Sequence, residues 1–146
     1  MFASGFGAGY VPYCPGTIGT LIAIPASVIV NRLAVRDPLW GIASLAVLTG
    51  SAIWVAGQAA RILRQKDPPI VTIDEIAGFS FANFLAPSLA GSIIAFVLFR
   101  FFDIAKVFPA KKLEALPGGA GIVLDDILAG FYTLLVLRLL LAAALI

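Results

Sequence analysis

Histidine is absent from the 146 residues, cysteine occurs once, at Cys14, and only 12% of the side chains are charged. Each shortage removes a class of protein. Without histidine there is no His-ligated zinc site, no Ser-His triad and no phosphohistidine chemistry. One cysteine allows neither an intrachain disulfide nor a multi-cysteine metal cluster, and Cys14 reads as a small apolar residue beside a turn. A net charge of +2 is too weak to argue for nucleic acid. The N-terminus lacks a basic n-region, so no cleavable signal peptide is expected. Against these shortages stands a hydrophobic content of 61%. A soluble domain of this length cannot hide that much apolar surface, and the length suits one domain, residues 1–146, rather than two. The expectation is an all-α, multi-pass helical bundle integral to a membrane.

About five hydrophobic segments can be traced. The opening "MFASGFGAGYVPYCPGTIGT" is loop-like, rich in Gly and free of charge. A first helix is expected from Thr20 to about Val30, ending near Arg32 and Arg36. A second starts at Pro38, a residue suited to the first helical turn, and "RQKDPP" breaks it. "IVTIDEIAGFSFANFLAP" is the third, "SLAGSIIAFVLFRFFDIAK" the fourth, and "VFPAKKLEALPGG" a basic loop before the fifth, the closing stretch "GGAGIVLDDILAGFYTLLVLRLLLAAALI". Segments one and three are short for a span of about 20 residues and read as tilted, broken or re-entrant. With five crossings, Arg61, Arg64, Lys66, Lys106, Lys111 and Lys112 share one side, which the positive-inside rule makes cytoplasmic.

Five of the eight acidic residues, Asp74, Glu75, Asp103, Asp125 and Asp126, fall at segment ends on that same side. Intramembrane acids are candidate functional residues. Brought together they repel unless a cation compensates, and oxygen donors without His or Cys suit a hard cation, Mg²⁺ before Mn²⁺ or Ca²⁺. Helix neighbours point about 100° apart, so Asp125 and Asp126 are not expected to grip one ion side by side. Simpler roles remain open: a helix N-cap for Asp125 or Asp126, and neutralisation of Arg100 or Lys106 by Asp103. "IVTIDEIAGF" and "IVLDDILAGF" share I-V-x-x-D-x-x-x-G-F, which sets Asp74 beside Gly78 and Asp126 beside Gly130 on helix faces. The glycine leaves room for a ligand or another helix. On the anion side, Gly16, Thr17, Gly19 and Thr20 lead into the first helix, where they either cap and turn the chain or offer donors to a phosphate. Arg100 suits bidentate phosphate contact and Lys106 acts as a point charge. Lys111 and Lys112 read as solvated residues touching anionic headgroups.

"GFGAGYVPYCPGTIGT", "IVTIDEIAG", "FRFFDIAK" and "LPGGAGIVLDDILAG" resemble, in order and spacing from Gly5 to Gly130, the phosphatidylglycerophosphatase A family. The resemblance implies a Mg²⁺-dependent enzyme of the bacterial inner membrane that converts phosphatidylglycerophosphate to phosphatidylglycerol, the cardiolipin precursor, facing the cytoplasm. By position the resemblance places the family's acidic pairs at Asp74 and Glu75 and at Asp125 and Asp126, and its Arg-Asp-Lys set at Arg100, Asp103 and Lys106. The expected site takes Asp74, Glu75, Asp103 and Asp126 as catalytic, Asp74, Glu75, Asp125 and Asp126 as metal ligands, and Gly16, Thr17, Gly19, Thr20, Arg100 and Lys106 as substrate-binding. Two positions depart from the family pattern: Val107 stands where Pro usually follows the lysine, and Val123 where Met is common.

The expected chemistry is attack of water on a phosphomonoester, with Asp126 or Asp74 handling the water and Arg100 and Lys106 the phosphoryl charge. The D-x-D-x-T/V pattern of haloacid-dehalogenase phosphatases is missing, which favours water over an aspartyl-phosphate without excluding the latter. A CDP-alcohol phosphotransferase would carry a longer Asp-Gly-Arg pattern that does not occur. A divalent-cation channel or transporter would want midplane acids without anion partners, and a structural membrane subunit would have no use for the acids.

Overall fold

The computed structural model describes residues 3–4, 15–86 and 88–143. Among them are six helices and no strand: α1 (Pro15–Arg36), α2 (Pro38–Leu63), α3 (Ile73–Ala82), α4 (Leu89–Ala105), α5 (Ala110–Glu114) and α6 (Gly119–Ala142). Three of them, α1, α2 and α6, are long and apolar enough to cross a membrane. The helix α4, with 17 residues, rises about 25 Å, and α3, with 10, only about 15 Å. The expected helical membrane bundle is present, and the third segment is the short one.

Several boundaries differ from expectation. The first segment is not short: α1 begins at Pro15, because Pro at a helix start gives up no bond, and the Gly16–Thr20 stretch expected as loop forms its first turns. Pro38 does open α2, with Asp37 as N-cap: Leu39 N donates to Asp37 Oδ1 at 2.9 Å. The basic loop contains the short α5. The last helix starts at Gly119, so Asp125 and Asp126 lie in its second turn and neither is an N-cap.

Large apolar side chains point outward and small ones inward. Trp40, Trp54, Ile62, Leu89, Ile104 and Leu139 are exposed, whereas Ala23, Ala52, Ala56, Ala77, Ala82 and Ala95 are fully buried. That pattern belongs to a bundle solvated by lipid, where small interface residues let backbones approach. Around Phe79 the core is aromatic, with Phe96 and Phe99 edge-on at centroid distances of 6.0 and 5.9 Å. The central helix is α3, which packs against α1, α2, α4 and α6. It crosses α6 closely: a Cβ on Gly78 would lie 2.7 Å from the Asp126 carbonyl oxygen and 2.9 Å from the Asp126 Cβ. The repeated D-x-x-x-G pattern is thus the α3/α6 crossing, and its glycines make room for a helix.

Candidate phosphate and metal site

The helices bring the starts of α1, α3 and α6 and the end of α4 to one end of the bundle. The acids named above collect there. Asp74 and Glu75 occupy the first turn of α3. Asp126 is buried and lies within electrostatic reach of Asp74, Asp103, Glu75 and Asp125. Burial of unpaired carboxylates at such density is unfavourable unless opposite charge joins them. The 100° offset between neighbours operates as expected: Asp126 turns toward the α3 acids, and Asp125 turns toward Lys106, whose Nζ donates to Asp125 Oδ2 at 3.2 Å.

The basic residues are already engaged on one side. Arg100 pairs with Asp103 one turn away at 2.5 Å, so Asp103 does neutralise Arg100. Lys106 also pairs with Glu114 of α5 at 3.1 Å. Partial burial works against its charge, yet the hydrogen bonds and attraction of Glu114 and Asp125 outweigh it and hold the ammonium above its usual range. Glu114 was not singled out from sequence. It lies in a lysine-rich stretch, and no motif marks it; only the fold of α5 against α6 carries it to Lys106.

The first turns of α1 close the site from above. A Cβ on Gly16 would sit 2.7 Å from Glu75 Oε1 and 2.8 Å from an Arg100 terminal nitrogen, and one on Gly19 2.9 Å from Glu75 Oε2. Both glycines let the helix start press against Glu75 and Arg100. Thr20 does not cap the helix: its hydroxyl donates to Gly16 O at 2.8 Å and the residue is fully buried. Thr17 is half-buried in the same turns. Thr72, another residue missed from sequence, is buried at the α3 N-cap beside Gly19, and its N–H donates to Ala3 O at 2.8 Å. The part of the first motif before Pro15, including Cys14, lies outside the described residues.

The donor chemistry fits a hard cation. Among the described residues, Asp74 Oδ1, Glu75 Oε2 and Asp125 Oδ1 are buried without a hydrogen-bond partner, as are Thr72 Oγ1 and Arg100 Nε. Buried polar atoms are otherwise almost always satisfied, and oxygen-only donors are what Mg²⁺ takes. Among the described residues no three acids converge into a ready-made metal cage. Asp126 instead lies within electrostatic reach of Asp74 and Glu75 without closing on them, and Asp125 pairs with Lys106.

The profile of the family described as Phosphatidylglycerophosphatase A matches residues 1–141. Among curated proteins, one of Bacteroides thetaiotaomicron with the provisional name phosphatidylinositol-3-phosphatase is 36% identical, covering 94% of this chain and 89% of its own. Phosphatidylglycerophosphatase A of Escherichia coli is 33% identical, over 89% of this chain and 76% of its own. That of Haemophilus influenzae is 34% identical, over 93% and 84%. No solved structure matches.

Proposed function

The chain belongs to the phosphatidylglycerophosphatase A family and is a phosphoric monoester hydrolase of lipid metabolism, and on that premise we propose that it removes the terminal phosphate of phosphatidylglycerophosphate, with Mg²⁺, at the cytoplasmic face of the bacterial inner membrane. The observation that carries this reading is the convergence of Asp74, Glu75, Asp103, Asp125 and Asp126 with Arg100 and Lys106 at one end of an apolar bundle, with buried carboxylate oxygens left unpaired. The orientation rests on charge: Arg61 lies in the last turn of α2 and Arg64 and Lys66 follow it, Lys111 and Lys112 lie on α5, and only Arg32, Arg36 and Arg138 lie toward the other end.

In this reading Asp74, Glu75 and Asp126 would hold the cation, and Asp125 would join them from the Lys106 side. When bound, Mg²⁺ supplies Lewis-acid charge to the phosphoryl oxygens. Arg100 keeps its Nε and the terminal nitrogen beside Gly16 for the phosphate while Asp103 fixes its plane. Lys106, kept protonated by Glu114 and Asp125, adds a second positive charge to the equatorial oxygens. Asp126 or Asp74 orients a water and takes its proton as the water oxygen bonds to phosphorus. The bond from phosphorus to the glycerol oxygen breaks, and that oxygen takes up a proton from water at the membrane face, while the acid that took the first proton returns it to solvent.

The same geometry would serve another lipid phosphomonoester, and the name of the Bacteroides relative favours comparing the two headgroups directly. The deciding experiment is inorganic phosphate release in detergent from phosphatidylglycerophosphate and from phosphatidylinositol 3-phosphate, each with Mg²⁺ and with EDTA. Mg²⁺-dependent release from the first, faster than from the second, is expected. Release from the second alone would reassign the headgroup. Release from neither by folded protein would overturn the phosphatase reading.

A further inference from the structure

The surface between α1 and α4 is concave. The two helices make few direct contacts with each other, and α3 lies behind them as a floor. The resulting groove of about 260 Å³ is lined by Leu21, Ile24 and Val28 of α1 and by Ile93 and Phe96 of α4, over Phe79. On α1 the lining recurs three and four residues apart, and so it does on α4, so each helix turns one continuous apolar stripe into the groove.

The groove leads to the acids. Leu21 lies one turn below Thr17 on α1, and Phe96 lies one turn below Arg100 on α4; residues four apart stack on one helix face. Gly16 and Arg100 meet at the top, where a Cβ on Gly16 would touch the guanidinium. From Arg100 down to Leu89 the helix falls about 16 Å, close to the roughly 15 Å depth of one leaflet of hydrocarbon. About 12 Å below Arg100 the lining turns polar, at Ser92 and Asn83, and the groove widens toward Arg32 and Ser88. The apolar part is therefore open to lipid, and its upper end, at Leu21 and Phe96, lies one helical turn below Thr17 and Arg100.

We propose that this α1/α4 groove seats one acyl chain of the lipid substrate, so that the chain holds the phosphate between Arg100 and the acids. The inference rests on the lipid-phosphatase reading for its substrate, and its occupant is a fatty acyl chain. Energetically, the groove would add apolar contact that a free headgroup lacks, and that contact would appear in the preference for long-chain over short-chain lipid.

Two measurements test it. In the first, kcat/KM is compared for phosphatidylglycerophosphate bearing sixteen-carbon or four-carbon acyl chains (chain lengths of about 16 and 4 carbons, chosen to reach or miss the groove floor). Ser92→Phe, which fills the lower groove, is expected to cut the long-to-short ratio by about tenfold or more. Val47→Phe, on the exposed face of α2, leaves that ratio unchanged. In the second, the wild-type protein is irradiated with a diazirine-tagged long-chain phosphatidylglycerophosphate, and the adducts are mapped by mass spectrometry. Adducts concentrated on Leu21, Ile24, Ile93 and Phe96 are expected. Adducts spread over α2 and the outer face of α6, or an unchanged ratio in folded Ser92→Phe, would overturn the proposal. If Ser92→Phe does not fold, the adduct map decides alone. Groove adducts without phosphate release would sink the enzymatic reading and leave the acyl seat standing.

Discussion

The two ends of α3 bury polar groups in opposite ways. At its far end the side chains satisfy one another. Asn83 Nδ2 donates to Ser27 Oγ at 2.9 Å, Asn31 Nδ2 donates to Asn83 O at 2.8 Å, and Leu85 N donates to Asn31 Oδ1 at 2.7 Å. Arg138 closes the set by donating to the carbonyls of Phe84 and Leu85. At the near end, Asp74 and Glu75 face Asp126 with oxygens unpaired. Of the seven buried side-chain atoms without a partner among the described residues, five lie at the acid end and one, Asn83 Oδ1, at the amide end. An unpaired buried polar atom costs stability, so an end that tolerates five is arranged for something other than folding. The amide end fixes the turn between α3 and α4; the acid end leaves carboxylate oxygens without partners among the described residues.

The sharpest way to break this contrast is to neutralise an acid. Asp126→Asn should lower Mg²⁺-dependent phosphate release by about 10³-fold, yet melt higher than wild type in metal-free buffer because one repelling carboxylate is gone. Mg²⁺ should raise the melting temperature of the wild type and not of the variant. A variant that melts lower without metal would mean that Asp126 is structural.

Gly16→Ala should cost about 10 to 100-fold in activity, because the new methyl displaces Glu75 and Arg100. Circular dichroism should show helix content unchanged, since Ala favours a helix over Gly by about 1 kcal/mol. Full activity in Gly16→Ala would separate the α1 start from the site.

At the other end the signs reverse. Asn31→Ala should destabilise by about 1–3 kcal/mol, measured by thermal unfolding in detergent, while phosphate release per folded molecule stays at the wild-type level. It strands the Asn83 carbonyl and the Leu85 N–H but touches no acid.

The smallest effect is the pH dependence at Lys106. Its folded-state value is raised, so the stabilisation from Glu114 and Asp125 is fully present below the ordinary lysine value of about 10.4 and is lost as pH rises through the higher folded value. Lys106→Met should lower stability by a pH-independent amount near neutrality and remove the decline in that alkaline window. A wild-type profile with no alkaline decline would mean that these ion pairs contribute nothing.

Much of this contrast is legible in the sequence. Asp74, Glu75, Asp103, Asp125 and Asp126 stand out because charge is scarce, and scarcity makes each acid informative in an apolar chain. The 100° rule separates Asp125 from Asp126 before any fold is known. What escapes is whatever depends on long-range neighbours. Glu114 resembles any charged loop residue until α5 packs on α6. Thr72 resembles any cap until Gly19 arrives beside it. Asn31 and Asn83 are polar residues in a greasy run, and only the meeting of α1 with the end of α3 pairs them. The start of α1 was misread because Gly and Thr weaken a local helix signal, whereas contact with Glu75 and Arg100 holds those turns in place.

By itself the sequence determined the helical class and the kind of solvent, because apolar runs with few charges favour lipid, and it marked out the acids as residues in need of opposite charge. The tertiary structure decided which groups meet. It alone set Lys106 between Asp125 and Glu114, turned the repeated Asp-Gly spacing into a helix crossing, and opened the groove below Arg100. The reason is range: hydropathy and helical period act over a few residues, while charge pairing and packing act between segments that the chain separates by tens of residues and the bundle brings into contact.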